Sequence, residues 1–356
     1  MRLPAFLGLI MIAASPATTQ ETFDAQARIT EALNAVRPIA MNRDQVDWTA
    51  VETRARDIAS HARDTVDLLP AFHLIVWSLH DEHSFMKPTP AQLEEWLKRT
   101  NGSRYLPDTP RPRASVSAFK GRPVSGRDLA LGGGGRATAV VVPGYSGVDA
   151  DNSFARSIAE AIEARPAACG YVVDLRGNTG GNMGPMLAGL SPLLGEGFAI
   201  PAIAGPGMFD AVIKVEGDHL MGYPTPDASE GMPMGTIPGG APPPVLAGAP
   251  VAVLIDQVTG SSGEAIAVAF RGRGHTRFFG EKTFGIASGN QDVPLQDGVT
   301  LFVTIGLLKD SAGRTYPDGI LPDEPVGAGP GDPDDPDDAV VEAAKAWLST
   351  QERCRV

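Results

Sequence analysis

The sequence predicts an α/β fold with a largely parallel sheet, preceded by a helical N-terminal region. Residues 137–305 alternate short β-branched apolar runs with helix-patterned segments, the pattern of strand–helix units whose crossovers are right-handed. Residues 21–79 repeat apolar side chains at helical spacing. With 41 glycines and 31 prolines in 356 residues, the chain must turn often, which favours a loop-rich architecture.

Residues 1–17, MRLPAFLGLIMIAASPA, have the form of a secretory signal: Arg2, an apolar stretch over 7–14, then Ser15, Pro16 and Ala17 before a cut near Thr18. The apolar stretch is too short to span a bilayer, and no cysteine follows the cut to carry a lipid. The expectation is an exported protein, periplasmic or secreted, with no stable membrane insertion after signal removal. A formal charge of −12 argues against nucleic acid or an anionic bilayer as partner. The only cysteines, Cys169 and Cys354, lie before a core strand and in the tail. They read as free thiols, and two cysteines cannot build a structural zinc site.

In chain order, Asp47 or Thr49 caps a helix carrying Val51, Ala55 and Ile58. Pro70 opens the next helix, with Phe72, Ile75, Val76 and Leu79 on its buried face. That helix ends in His80-Asp81-Glu82-His83-Ser84-Phe85. Two histidines three apart lack the H-E-x-x-H spacing and a third ligand, so no metal or cofactor is expected. The Pro- and Arg-rich stretch 87–136 ends in four glycines, 132–135, which lack the Lys-Ser/Thr of a phosphate loop and read as a turn. Strands at 139–142 and 171–173 flank a helix with Phe154, Ile158 and Ile162 on one face. Residues 198–249, rich in Gly, Pro and Met, read as a surface insertion beside a cleft, where limited proteolysis should cut first. GPGDPDDPDD at 329–338 reads as a solvated linker before a short terminal helix. The resulting organisation is a signal (1–17), a helical domain and connector (18–115), a core (116–326, with the insertion 198–249) and a linker with a C-terminal helix (327–356).

Within that core, PVAVLIDQVTGSSGEAIAVAF at 250–270 reads as a buried strand, a polar turn and a buried helix. Ser261 and Ser262 stand at the helix N-terminus, where unpaired N–H groups and the helix dipole favour developing negative charge. A nucleophilic serine fits there. So does an ordinary cap, because Ser261-Ser262-Gly263-Glu264 also spells the S-x-x-E capping box. The G-x-S-x-G elbow of α/β-hydrolases is broken by Glu264, which disfavours an esterase of that class.

Five motifs in order decide more than any one alone: DLRGNTGG at 174–181, VLIDQVTGSSGEA at 253–265, GEKTFG at 280–285, PLQDG at 294–298 and GILPD at 319–323. Together they resemble the C-terminal processing (tail-specific) peptidase family over about 116–325, reaching the N-terminal helices through LHDEHSF at 79–85. The resemblance implies a serine peptidase with a crotonase-like ββα-spiral core, acting on a peptide or unfolded protein. It makes Ser261 the nucleophile and the backbone N–H groups of Gly181 and Ser262 the oxyanion donors, with Gly180 of the same turn as a further oxyanion-binding residue. Ile286 stands where the main branch carries its lysine base, and residues 87–115 are too few for the PDZ domain of that branch. Both departures point to the tricorn-like branch, which implies a histidine base: His83, with His80 as the alternative, Asp318 as the orienting carboxylate, and Lys282 as an exposed lysine. An imidazole base titrates near ~6.5 before its surroundings act on it. Ile286 also keeps open a noncatalytic member that binds peptides or apolar ligands.

Overall fold

A computed structural model describes residues 23–103, 117–165, 167–195, 199–203, 210–225, 227–240, 244–327 and 337–355. The segment read as a signal and most of the one read as an acidic linker lie outside the described residues.

Helices α1 (Ala25–Val36), α2 (Trp48–Ser60) and α3 (Thr65–Trp77) each open on an aspartate whose carboxylate accepts backbone N–H bonds: Asp24, Asp47 and Asp64. Asp47, not Thr49, is therefore the α2 cap. Pro70 does not open α3; the helix begins five residues earlier, and the proline sits inside it. Burial of Val66, Leu68 and Leu69 ahead of it outweighs the backbone hydrogen bond that proline cannot make. Strand β1 (Phe85–Lys87) and α4 (Pro90–Arg99) follow.

The α/β expectation is met by a six-stranded sheet. Its strands are β2 (Ser125–Ala130), β3 (Arg136–Val141), β4 (Gly170–Asp174), β9 (Val251–Ile255), β10 (Thr276–Gly280) and β13 (Glu324–Pro325), in the order β13-β10-β9-β4-β3-β2. All pairs are parallel except β2–β3, whose hairpin turn contains the four glycines. Alternate residues feed two cores, as the period of a strand requires. Tyr171, Val173, Val251, Val253 and Ile255 face α5 (Ser153–Glu163), α6 (Met183–Leu194) and α8 (Ser262–Arg271). Val172, Ala252 and Leu254 face α9 (Ala339–Ser349). Arg176, fully buried, pairs with Asp174 at 2.9 Å and with Asp338, the α9 cap, at 2.8 Å, which seats α9 on the sheet.

That seating corrects the reading of two free thiols. Cys354, just past α9, meets Cys169, just before β4, in a disulfide with 5.0 Å between Cα atoms. The partners are 185 residues apart, so only the crossing of α9 over the sheet brings them together.

The insertion is a second sheet, β5 (Ala199–Ile203), β6 (Asp210–Glu216), β7 (His219–Tyr223) and β8 (Met232–Thr236), paired antiparallel in that order. Ile213, Val215 and Leu220 join the α6 core; strands this short between glycines and prolines escape a pattern search. The four-residue α7 (Pro244–Ala247) leads into β9. A third sheet joins the two halves of the chain. Strands β11 (Ser288–Pro294) and β12 (Thr300–Leu307) form a hairpin, and β1 pairs antiparallel with β12, Phe85 opposite Phe302. Val293, Leu301 and Val303 of the hairpin share one core with Leu33, Phe72 and Ile75 of α1 and α3. Among the described residues no helix is long and apolar enough to cross a membrane.

Removing the cross-link by Cys169→Ser with Cys354→Ser should lower stability by about 2–4 kcal/mol, as expected for a long closed loop. Thermal unfolding of the double variant, and of the native chain with reductant, should show matching drops in Tm. An unchanged Tm would mean that the sheet and α9 hold without the bond.

Candidate active site

The turn after β9 is built on a buried carboxylate. Asp256 accepts from Val258 N–H (3.2 Å), Thr259 N–H (2.9 Å) and the Thr259 hydroxyl (2.9 Å) through one oxygen, and from Ser117 Oγ (2.7 Å) and Gly177 N–H (2.9 Å) through the other. Gly260 N–H then donates to Asn178 O at 3.0 Å, so the turns after β4 and β9 lie against each other. Ser261 follows with φ 52° and ψ −119°. That left-handed backbone costs a non-glycine residue about 1–3 kcal/mol.

His83 arrives from the other half of the chain. Between α3 and β1 the backbone turns through positive φ at His80 (50°) and Glu82 (55°). Asp81 holds this turn, accepting from His83 N–H (3.1 Å), Ser84 N–H (2.6 Å) and the Ser84 hydroxyl (2.7 Å). Asn290 of β11 donates to His83 O at 2.9 Å. The ring then sits between two serines: Nε2 is 2.9 Å from Ser261 Oγ, and Nδ1 is 2.6 Å from Ser288 Oγ. Only 8% of His83 is exposed. Burial pushes the imidazole down to about 4, against the opposing pull of Asp81.

The structure thus brings Ser261 and His83 together and leaves Asp318 away from the ring. Ser288, not Asp318, occupies Nδ1. Asp318 makes no hydrogen bond to His83 among the described residues; its turn is pinned elsewhere, where Thr283 Oγ1 accepts Ile320 N–H at 2.7 Å. Asp318 instead lines a cavity of about 570 Å3, with His80, Asp81, Lys282, Ile286 and Ser288. Neither His80 nor Lys282 hydrogen-bonds Ser261 among the described residues.

The glycine turn needs a second correction. Gly180 N–H is already committed to Asn178 Oδ1 at 2.9 Å and cannot serve as an oxyanion donor. Its part is steric: a Cβ there would lie 2.7 Å from Ser261 Cβ, and its φ is +99°. Gly180 O accepts Tyr145 N–H at 3.1 Å, so the Gly181 N–H of the same trans peptide points the opposite way. Among the described residues neither Gly181 N–H nor Ser262 N–H has a partner. Ser262 contributes its hydroxyl as well, donating to Gly181 O at 2.5 Å.

Glu264 does more than close a capping box. Fully buried, it accepts from Thr283 Oγ1 (2.6 Å) and Gly285 N–H (2.9 Å) on one oxygen, and from Ile286 N–H (2.8 Å) and Ser261 N–H (3.2 Å) on the other. Burial raises its pKa while these donors oppose the rise. The Ser261 hydroxyl lies 2.9 Å from His83 Nε2. Sequence reasoning missed Ser288 and Asn290 because β11 carries no motif, and missed Asn178 although it stands inside DLRGNTGG.

Residues 137–326 match the family model "Peptidase family S41". The chain belongs to peptidase family S41. Over 291 residues, 82% of this chain and 80% of the relative, it is 26% identical to a nisin-resistance protein of Lactococcus lactis subsp. lactis. A solved lipoprotein from Streptococcus agalactiae superposes with a TM-score of 0.63 at 18% identity, covering 96% of this chain and 99% of that one. The photosystem II D1 C-terminal processing protease gives 0.52 at 16% identity, covering 86% and 94%. These structures share the fold, and the resemblance to C-terminal processing peptidases carried by the five motifs is borne out.

Glycine adopts the Ser261 backbone without strain, so Ser261→Gly should stabilise the protein by about 1 kcal/mol. Urea unfolding measures this. A loss of similar size would show that the serine's hydrogen bond outweighs its backbone strain.

Proposed function

We propose that this protein is an exported serine endopeptidase acting on peptides or unfolded proteins. Ser261 is its nucleophile, His83 its base, and the N–H groups of Gly181 and Ser262 its oxyanion donors. The observation that carries this reading is the 2.9 Å contact between His83 Nε2 and Ser261 Oγ, made at a strained turn by residues 178 apart. With hydrogen on Nδ1, the ring accepts the serine proton at Nε2 as Oγ attacks the peptide carbonyl. The resulting oxyanion takes the two unpaired N–H bonds. The imidazolium then protonates the leaving amine, and water enters by the same base to free the acid product.

Family S41 membership supports peptide substrates, as does the placement of the pair at the junction of the N-terminal helices and the central sheet. The strand–helix succession from β3 to β10 supports a crotonase-like core. The N-terminal signal and the disulfide support export to an oxidising compartment, periplasmic or extracellular, and one structural neighbour is named a lipoprotein. A noncatalytic reading drew on Ile286, but an imidazole beside Ser261 supplies the proton acceptor that isoleucine lacks.

Ser261→Ala and His83→Ala should each cut turnover of an unstructured peptide or reactive ester by about 10³-fold or more, with Lys282→Ala close to wild type. A fluorophosphonate should label Ser261 in the wild type. No adduct and no turnover would favour the noncatalytic reading, and loss in Lys282→Ala with normal rates in His83→Ala would restore a lysine mechanism.

The acid limit moves with the burial of His83. The base works in its neutral form and its pKa is lowered from 6.5 to about 4, so kcat/KM should hold through mildly acid pH and fall as pH drops through about 4. Between 6.5 and 4 the unfolded chain binds a proton that the native state refuses, so folding stability declines on acidification across that window. A pH profile with its midpoint at 6.5 would show that the working ring is solvated.

A further inference from the structure

A histidine accepts a proton at Nε2 only when its own hydrogen is on Nδ1. In water the neutral ring favours the other tautomer, so a base of this kind needs an acceptor at Nδ1. Serine peptidases commonly place a carboxylate there. Here the nearby charged groups are otherwise placed. Both Asp81 oxygens are taken by His83 N–H, Ser84 N–H and the Ser84 hydroxyl. Glu264 is spent on the turns of Ser261 and Ile286. Glu82, Lys282 and Asp318 line the cavity without a hydrogen bond to the ring among the described residues. The group at Nδ1 is the Ser288 hydroxyl, 2.6 Å away.

Ser288 is held in place by the fold. It is the first residue of β11, paired with Leu307, and its N–H donates to Ile286 O at 2.8 Å. Two residues on, Asn290 donates to His83 O at 2.9 Å while its own oxygen accepts the Thr304 hydroxyl at 3.0 Å. One strand therefore grips both the ring and the backbone of His83. That grip joins a side chain from the N-terminal half to the sheet edge next to Ser261.

We propose that Ser288 is the positioning residue of the Ser261–His83 pair: its Oγ accepts the Nδ1–H, so that a hydroxyl rather than a carboxylate sets the tautomer and the ring orientation. The inference rests on the reading of Ser261 and His83 as the hydrolytic pair. Its chemical consequence is a base with no adjacent anion to stabilise the imidazolium. Such a base stays neutral in acid but gains less from proton transfer than a carboxylate-backed one.

The test uses the mature chain with Ser288→Ala, Ser288→Thr and Ser288→Asp. The readouts are kcat and KM on an unstructured peptide, fluorophosphonate labelling of Ser261 against pH, and the ¹⁵N resonances of the His83 ring. Ser288→Ala should lower kcat about 10- to 100-fold, the range for loss of an orienting partner, with KM within about twofold. Its ring signal should move from the Nδ1–H toward the Nε2–H tautomer. Ser288→Thr should recover most of the rate and the native tautomer, and Ser288→Asp should move the acid limb upward by about one pH unit or more as the carboxylate stabilises the imidazolium. Wild-type kcat, pH profile and tautomer in Ser288→Ala would overturn the proposal. So would a rate loss with an unmoved tautomer that threonine does not recover. If Ser288→Ala fails to fold, an unshifted acid limb in a folded Ser288→Asp overturns it equally. A wild type that neither labels nor hydrolyses would overturn the underlying reading instead.

Discussion

Four donors converge on the buried carboxylate of Glu264, and the geometry of the site depends on that convergence. One oxygen receives Thr283 and Gly285; the other receives Ser261 and Ile286. All four are donors, which suits the ionised form and offsets the cost of burying it. The carboxylate joins the strained turn of Ser261 to the chain that leads, two residues past Ile286, into Ser288 and β11. Without it three backbone N–H groups would lose their partner, and the Ser261 turn would keep, among the described residues, only the Phe284 N–H to Thr259 O bond as a backbone tie to the segment that leads into β11.

Two hydrophobic cores meet at this point, and neither contains a complete site. Ser261 rises from the central sheet, packed through α8. His83 hangs from α3 and β1, whose side chains pack with the β11–β12 hairpin. The hairpin belongs to the later part of the sequence and yet shares its core with the earliest helices. Its position explains how a contact across 178 residues can be made to within hydrogen-bond distance without a long lever between the two groups. Three of the seven non-glycine residues with positive φ among the described residues, Ser261, His80 and Glu82, lie at this junction, a backbone conformation that a non-glycine residue holds only at a cost.

The sequence made the α/β core legible because β4 and β9 are continuous apolar runs buried on both faces. Ser261 and His83 were legible through motif resemblance, since neither segment alone distinguishes a reactive residue from a cap or a loop histidine. What stayed hidden was set by tertiary geometry. Asp318 sits where family resemblance would place an orienting carboxylate, but its turn is tied to Thr283, and a strand without a motif places the Ser288 hydroxyl at His83 Nδ1. Gly180 and Gly181 look equivalent in sequence, and only the side chain of Asn178 tells their N–H groups apart. Cys169 and Cys354 gave no spacing to read, because their meeting depends on where α9 crosses the sheet. The proline of α3 misled for a simpler reason: proline is favoured in a first turn, and three buried side chains ahead of it carried more weight.

The disulfide also sets the covalent topology of the site. Residues 169–354 form a closed ring that contains the glycine turn, Ser261, Glu264 and Ser288, while His83 lies outside it on an open arm. A single cut anywhere in that ring, including within the β5–β8 insertion, leaves both pieces joined, so nicked and intact chains keep the same covalent mass apart from one added water. A cut between His83 and Cys169 instead separates the proposed base from the proposed nucleophile as independent fragments. Backbone damage to the two halves of the site therefore differs in kind: one half is tethered against loss, and the other depends on packing alone.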